Sequence, residues 1–291
     1  MNIDFVNISK YTLLISIVII IAGFIAIGIN GLNYGIDFAG GAMIYVNIGQ
    51  EYDIDDIRTI ISDSGAQAEA SYAGEKNQDV LIRMRVEEGY EEIEEEIMQR
   101  LSDKYDITDE QVNIDMVGPS IGRELTLNAI KSIVISWALI LIYVWIRFEL
   151  RSGVIAIVAL IHDMLIMFSF VAITQMQINS SFVAAILTII GYSINDTIVI
   201  FDRIRENTKR HGRRLSHSEI VNGSINKTLS RTLNTSLTTL FTIIAVYMLG
   251  VESIKEFTLP IIVGLIAGTY SSVFVAGPLW AIWTEGDSAV F

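Results

Sequence analysis

The sequence predicts a polytopic α-helical membrane protein with six transmembrane helices and one small α+β domain outside the bilayer. Three observations predict it. The 291-residue chain is 52% hydrophobic and only 18% charged, too apolar for an ordinary soluble domain and too charged to lie wholly in lipid. Its charge is unevenly placed. Residues 31–126 hold 22 acidic and 7 basic residues, net −15, whereas the rest of the chain holds 11 acidic and 13 basic. The apolar residues gather in six stretches, 11–30, 127–146, 154–174, 181–201, 233–250 and 259–283, each close to the roughly 20 residues a helix needs to cross hydrocarbon.

The apolar run of the first stretch, Leu13 to Ile29, is longer than a signal-peptide core. Lys10 is the only basic residue ahead of it, and no small-residue cleavage pattern follows. It reads as an uncleaved span. Orientation follows from Lys and Arg in short connections. The loop 202–232 carries Arg203, Arg205, Lys209, Arg210, Arg213, Arg214, Lys227 and Arg231, and the turn after the second span carries Arg147 and Arg151. The connections 175–180 and 251–258 carry only Lys255. Six spans then place both termini in the cytoplasm. Four parts are expected: 1–30 as N-terminus and first helix, 31–126 as extracytoplasmic domain, 127–283 as helices two to six, and 284–291 as a cytoplasmic tail.

Composition excludes several classes. Cys is absent, so disulfide scaffolds, thiolate metal sites and Cys nucleophiles are ruled out. With three His and no Cys, no metal centre or other cofactor is expected. An acidic domain repels nucleic acid. No P-loop, nucleotide-binding Gly motif or catalytic triad is present, so an enzyme is a poor fit.

The segment between the first two spans changes period. Residues 42–48 and 111–117 read as strands, 66–72 as a weak strand, and 79–86 as a strand alternating Val80, Ile82, Met84 and Val86 against Leu81, Arg83 and Arg85. Ile54, Ile57 and Ile61 mark a helix over 53–62. Ile93, Ile97, Met98 and Leu101 mark another over 89–104. The order βαββαβ predicts a ferredoxin-like domain. The acid run Glu87–Glu96 is read as a solvated helix face.

Ionisable groups inside a bilayer cost a few kcal/mol or more and mark ion paths or relays. The fourth span holds Tyr192, Ser193, Asn195 and Asp196, with Asp196 roughly 9 Å inside its cytoplasmic end at 1.5 Å per residue. Asp196 is a candidate proton carrier, or a permanently hydrogen-bonded Asp that ties helices together. His162 and Asp163 lie roughly 13–15 Å deep in the third span. Together with Tyr192 they form a candidate proton relay, although adjacent residues point about 100° apart and only one of His162 and Asp163 is expected to face the polar interior. A structural His–Asp contact stands equally open. Thr228, Thr232, Thr235, Thr239 and Thr242 form a hydroxyl stripe on the fifth span, and Arg231, Thr235, Thr238 and Thr242 an overlapping one. On spacing alone, Arg231 is an interfacial arginine that could also neutralise Asp196. Gly264 and Gly268 permit close helix packing, within the chain or against another subunit. His211 and His217 are expected to be solvated in the basic loop.

Four segments are recognisable together: Leu32–Gly41 (LNYGIDFAGG), Val117–Leu125 (VGPSIGREL), Gly191–Asn207 (GYSINDTIVIFDRIREN) and Ser230–Ser236 (SRTLNTS). In order and with this topology, they resemble the motifs of the SecD/SecF protein-export membrane family of the RND superfamily, on its SecF side. The resemblance covers nearly the whole chain. It implies half of an RND-type transporter in the cell (inner) membrane, used with SecD and the Sec translocon SecYEG to drive late protein export by the proton motive force. YajC and YidC are further candidate partners, and the exported polypeptide is the substrate. The family's membrane carboxylate maps onto Asp196, beside Asn195, and its functional arginine onto Arg231, favouring a chemical role over an interfacial one. Asp37, Gly40 and Gly41 fall in a glycine-rich hinge between first span and outer domain. The alternatives that remain are an RND-type exporter of lipids or small molecules and a non-transporting translocon scaffold.

Overall fold

The computed structural model describes residues 3–66, 68–74, 78–85, 90–212 and 214–288. Among the described residues, six helical runs are long and apolar enough to cross a membrane. Helix α1 (Phe5–Asn30) starts where the Asp4 side chain accepts from the Asn7 amide at 3.1 Å, a standard N-cap. A short helix α2 (Ile36–Ala39) leads into strand β1 (Gly41–Asn47). The outer domain continues with α3 (Ile54–Asp63), β2 (Ala68–Ala73), β3 (Asp79–Met84), α4 (Tyr90–Tyr105) and β4 (Val112–Val117). Then follow α5 (Pro119–Arg147), α6 (Leu150–Thr174), α7 (Ser180–His211), α8 (His217–Leu249) and α9 (Glu252–Ser271). A π-helical turn (Ser272–Ala276) joins α9 to α10 (Gly277–Ser288) within one span.

The outer sheet is antiparallel, in the order β2-β3-β1-β4, which is the ferredoxin-like arrangement expected from βαββαβ. Ile44, Val46, Val80, Ile82, Ile57, Ile97 and Leu101 fill its core and are fully buried. These are the inward positions of the period-2 and period-3.6 patterns. Of the acid run, Glu91–Glu96 lie on α4. Val86, Glu87 and Glu88, like Arg213 of the basic loop, lie outside the described residues.

Within the bundle, α6, α7 and α9 are at least half buried, whereas the spans of α1, α5 and α8 are 11%, 6% and 6% buried. The first three are the centre and the others its margin.

The structure corrects the loop assignments. The basic segment 202–232 is largely helix: α7 runs on to His211 and α8 begins at His217. Hydropathy registers only the apolar part of a helix, so charged ends that project beyond hydrocarbon were read as loop. Ser216 and Glu219 close a capping box at the start of α8. Likewise 251–258 is mostly the first turns of α9. His217 is half-buried rather than fully solvated, its ring packed edge-on against Trp280 at 5.8 Å, while His211 is exposed as expected.

Candidate functional site

Asp196 is 7% exposed and sits where α7, α8 and α9 meet. Glycine sets this meeting. A Cβ on Gly264 would lie 2.5 Å from Ile189 Cγ1, and one on Gly268 would lie 2.9 Å from Ser193 Cβ. Only glycine lets α9 approach α7 so closely, and the packing is within the chain. A small cleft of about 10 Å³, room for roughly one water, is lined there by Tyr192, Asn195, Asp196, Thr235, Ser236 and Thr269 among others.

Two hydroxyls reach the carboxylate in series. Ser236 Oγ donates to Asp196 Oδ2 at 3.1 Å, and Thr269 Oγ1 donates to Ser236 Oγ at 2.7 Å. Each hydroxyl also has a backbone acceptor on its own helix: Thr232 O lies 3.0 Å from Ser236 Oγ, and Leu265 O lies 2.9 Å from Thr269 Oγ1. A hydroxyl carries one proton and two acceptor lone pairs. With Asp196 charged, the chain runs Thr269 to Ser236 to Asp196. With Asp196 protonated, the acid can donate to Ser236, which turns its proton to Thr232 O and can still accept from Thr269. Either ionisation state leaves these groups satisfied, and Leu265 O is a second acceptor for Thr269.

Arg231 is exposed, and among the described residues no salt bridge joins it to Asp196. Arg231 therefore makes no close ion pair with Asp196 in the single chain, although its charge still acts on the carboxylate from a longer distance. Thr235 and Ser236, the next turn of α8, stand at the cleft instead. Asn195 and Tyr192 are exposed beside Asp196, as are Thr235, Thr238 and Thr242 on α8. Thr232 is buried, and its hydroxyl has no partner among the described residues.

His162 and Asp163 both face the interior, in different directions, which corrects the expectation that only one would. They are 8% and 2% exposed. His162 Nδ1 meets Asp163 Oδ1 at 3.1 Å, and its Nε2 meets Ser16 Oγ on α1 at 2.8 Å. Ser193 Oγ on α7 donates to Asp163 Oδ2 at 2.6 Å. Tyr270 on α9 stacks on the His162 ring at 5.9 Å. This enclosed cluster lies one turn of α7 from Asp196. Tyr192 lines the Asp196 cleft, and among the described residues no hydrogen bond joins its side chain to this cluster.

The glycine-rich segment is pinned on both sides. Gly35 N donates to Ile178 O at 2.9 Å, and Ser180 N donates to Asp37 Oδ2 at 2.7 Å. Gly40 has φ +80°, which favours glycine. Gly41 is the first residue of β1, where a Cβ would meet Met84 O at 2.5 Å.

Sequence reasoning missed Ser236 and Ser193 as partners of these acids, Thr269 as the donor to Ser236, and Ser16 as the partner of His162. Ser236 falls inside the Ser230–Ser236 motif and one turn past Thr232, and Thr269 directly follows Gly268; those were the available signals.

Residues 96–286 match the family described as protein export membrane protein SecD/SecF, C-terminal, and residues 25–50 match the SecD/SecF GG motif. The chain is 37% identical over 284 residues to a protein translocase subunit SecF of Rickettsia bellii, covering 97% of this chain and 93% of that one. A SecF of Rickettsia typhi is 37% identical over 286 residues, covering 98% and 92%. Among solved structures, the translocon-associated membrane protein SecDF from a Thermus species superposes with a TM-score of 0.81 at 33% identity over 98% of this chain. SecDF in its super-membrane-facing form gives 0.75 at 32% over 99%. The chain spans 39% and 40% of the length of those two SecDF chains.

Proposed function

This chain belongs to the SecD/SecF protein-export membrane family, and on that premise we propose that it works with SecD, using the proton motive force to promote late steps of export through the Sec translocase. It is a multi-pass membrane protein and an accessory subunit of that translocase. Both termini lie in the cytoplasm and the sheet domain outside it. The emerging polypeptide is its substrate, and SecYEG, YajC and YidC are its wider partners.

One observation carries the reading. Asp196 has hydroxyl partners that serve it in both ionisation states, and it borders a polar band that the chain itself leaves open. Tyr192, Asn195, Arg231, Thr235, Thr238 and Thr242 are exposed on α7 and α8. Such a face is costly against lipid tails, so a second helical bundle must cover it, and SecD is that partner. Its arrival would desolvate Asp196 further and bring Arg231 into a shared interface.

Protonation of Asp196 then removes the charge that strengthens the hydrogen bonds from Thr269 to Ser236 to Asp196, and α9 is held less tightly to α8. Deprotonation restores the stronger link. A proton crossing the full field contributes about 2.3 kcal/mol per 100 mV, enough to change a two-state ratio roughly fifty-fold. No covalent chemistry is required. The test is Asp196→Asn, expressed in a strain lacking the native subunit, with gradient-dependent secretion as the readout. Secretion should fall to the level of the empty strain, and so should that of Arg231→Ala. Full activity of Asp196→Asn would remove Asp196 as the carrier and favour the scaffold reading.

A further inference from the structure

A change at Asp196 matters to an exported chain only if it reaches the outer domain. Helix α9 spans that distance. Thr269 touches the Asp196 network, and Glu256 lies 13 residues earlier on the same helix, roughly 20 Å away at 1.5 Å per residue. Glu256 divides its carboxylate between two bodies. Oε1 pairs with Arg83 of the outer sheet at 2.9 Å, both side chains being mostly buried, and Oε2 accepts from Asn179 Nδ2 at 3.1 Å. Asn179 is itself the N-cap of α7, its Oδ1 accepting from the Phe182 amide at 3.0 Å. The two helices that hold the Asp196 site therefore end together on one carboxylate, and that carboxylate holds the sheet.

The joint is built to move. Pro260 lies within α9; lacking an N–H, it cannot bond the carbonyl four residues earlier, which is that of Glu256. The first turn of α9 can thus pivot on the rest. Beyond Pro260, Gly264 and Gly268 press α9 onto Ile189 and Ser193 of α7, and the π-helical turn at Ser272–Ala276 bounds the segment at its other end. A cleft of about 660 Å³, lined by Arg58, Glu69, Arg83 and Glu256 among others, leaves space around the ion pair. Glu69 faces Arg83 across the β2–β3 register, so Arg83 has a second carboxylate to turn to when Glu256 withdraws.

We propose that Arg83, Glu256 and Asn179 form the joint through which α7 and α9 move the outer domain, making Arg83 and Glu256 positioning residues for energy coupling. The proposal rests on the reading that Asp196 changes charge during transport.

Arg83→Gln, Glu256→Gln and the two together are tested in the full-length protein assembled with SecD, with translocation measured in vesicles with and without an imposed proton gradient. Arg83→Lys and Glu256→Asp are the conservative variants, and Asp196→Asn is run alongside. Each Gln variant should cut gradient-driven translocation roughly tenfold, well inside the fifty-fold range one proton supplies at 100 mV. The double variant should be no worse than either single one, and the conservative variants should recover most of the loss. Gradient-driven translocation at the unsubstituted level in both Gln variants overturns the joint, as does a loss equally large with and without the gradient. If Asp196→Asn keeps full activity, the carrier reading fails instead, so the two failures are distinct.

Discussion

Gly264→Ala tests whether the α7–α9 contact is as tight as the site requires. A Cβ at this position would lie 2.5 Å from Ile189 Cγ1 and 3.0 Å from both Cδ1 and Cγ2. Ordinary contact begins near 3.4 Å, so the nearest carbon must retreat by roughly 0.9 Å in an interior packed like a crystal. Ile189 is 2% exposed within the bundle core, and with three of its atoms around the site no single rotamer change clears it. The added methyl must separate the helices or strain Ile189, a cost of about 1–3 kcal/mol. The assay is a double-mutant cycle on thermal unfolding of the purified protein in detergent. Ile189→Ala alone should destabilise by about 2–5 kcal/mol through its cavity. In that background Gly264→Ala should cost nothing or gain, giving a coupling of at least about 1 kcal/mol. Additive effects in the double variant would refute the close approach.

Two further substitutions separate crowding and ionisation from general fragility. Gly23→Ala places a Cβ 2.2 Å from Ser169 Oγ and 2.5 Å from its Cα, whereas Gly28 has nothing within 4 Å. The first should destabilise the α1–α6 pair by about 1–3 kcal/mol and the second should stabilise by about 0.5–1 kcal/mol, in the same unfolding assay; equal shifts would contradict the packing. Glu69→Gln addresses the outer joint. Glu69 is exposed beside the cleft; partial desolvation there, and then the nearby Glu256 charge, push its carboxyl above its ordinary value, against opposing pulls from Arg83, Gln177 and Arg58. The folded state then holds the proton more tightly than the unfolded state. Stability is highest below the ordinary glutamate value and is lost as pH rises through the folded one. Glu69→Gln should remove that acid-side slope and be the more stable form at neutral pH; matching pH profiles would refute it.

The outer domain was legible because its strands and helices alternate at periods that burial enforces. Val80, Ile82 and Met84 are at most 2% exposed, and these are the positions the alternation marked. Helix ends were poorly legible, since α7 continues through Lys209, Arg210 and His211 on residues no hydropathy window counts. The acids of the site could be found, because a carboxylate in an apolar stretch is expensive wherever it points. Their partners could not. Ser and Thr in long helices bond their own preceding carbonyls, as Ser169, Thr188 and Thr235 do here, so Ser236 and Thr269 look no different in sequence from hydroxyls that serve nothing. The pairing of three helices around one carboxylate is a tertiary fact, of which only Gly264 and Gly268 left a trace.

The two acids of the bundle differ in what surrounds them, and the difference bears on the roles proposed for them. Asp163 is 2% exposed, with His162 on one oxygen and Ser193 on the other, and Ser16 and Tyr270 enclose the His162 ring. Four helices contribute; an apolar groove of about 240 Å³ reaches Ser16, His162 and Tyr270, but the Asp163 carboxylate does not line it. A group so enclosed keeps one environment, which suits a polar clamp holding α1, α6, α7 and α9 together. Asp196 has one hydroxyl on one oxygen and an open, polar margin beside it. Its surroundings change whenever a partner bundle closes or withdraws, and a carboxylate takes up or loses a proton when its solvation and nearby charge change. The acid proposed as the proton carrier is thus the one the chain leaves half finished.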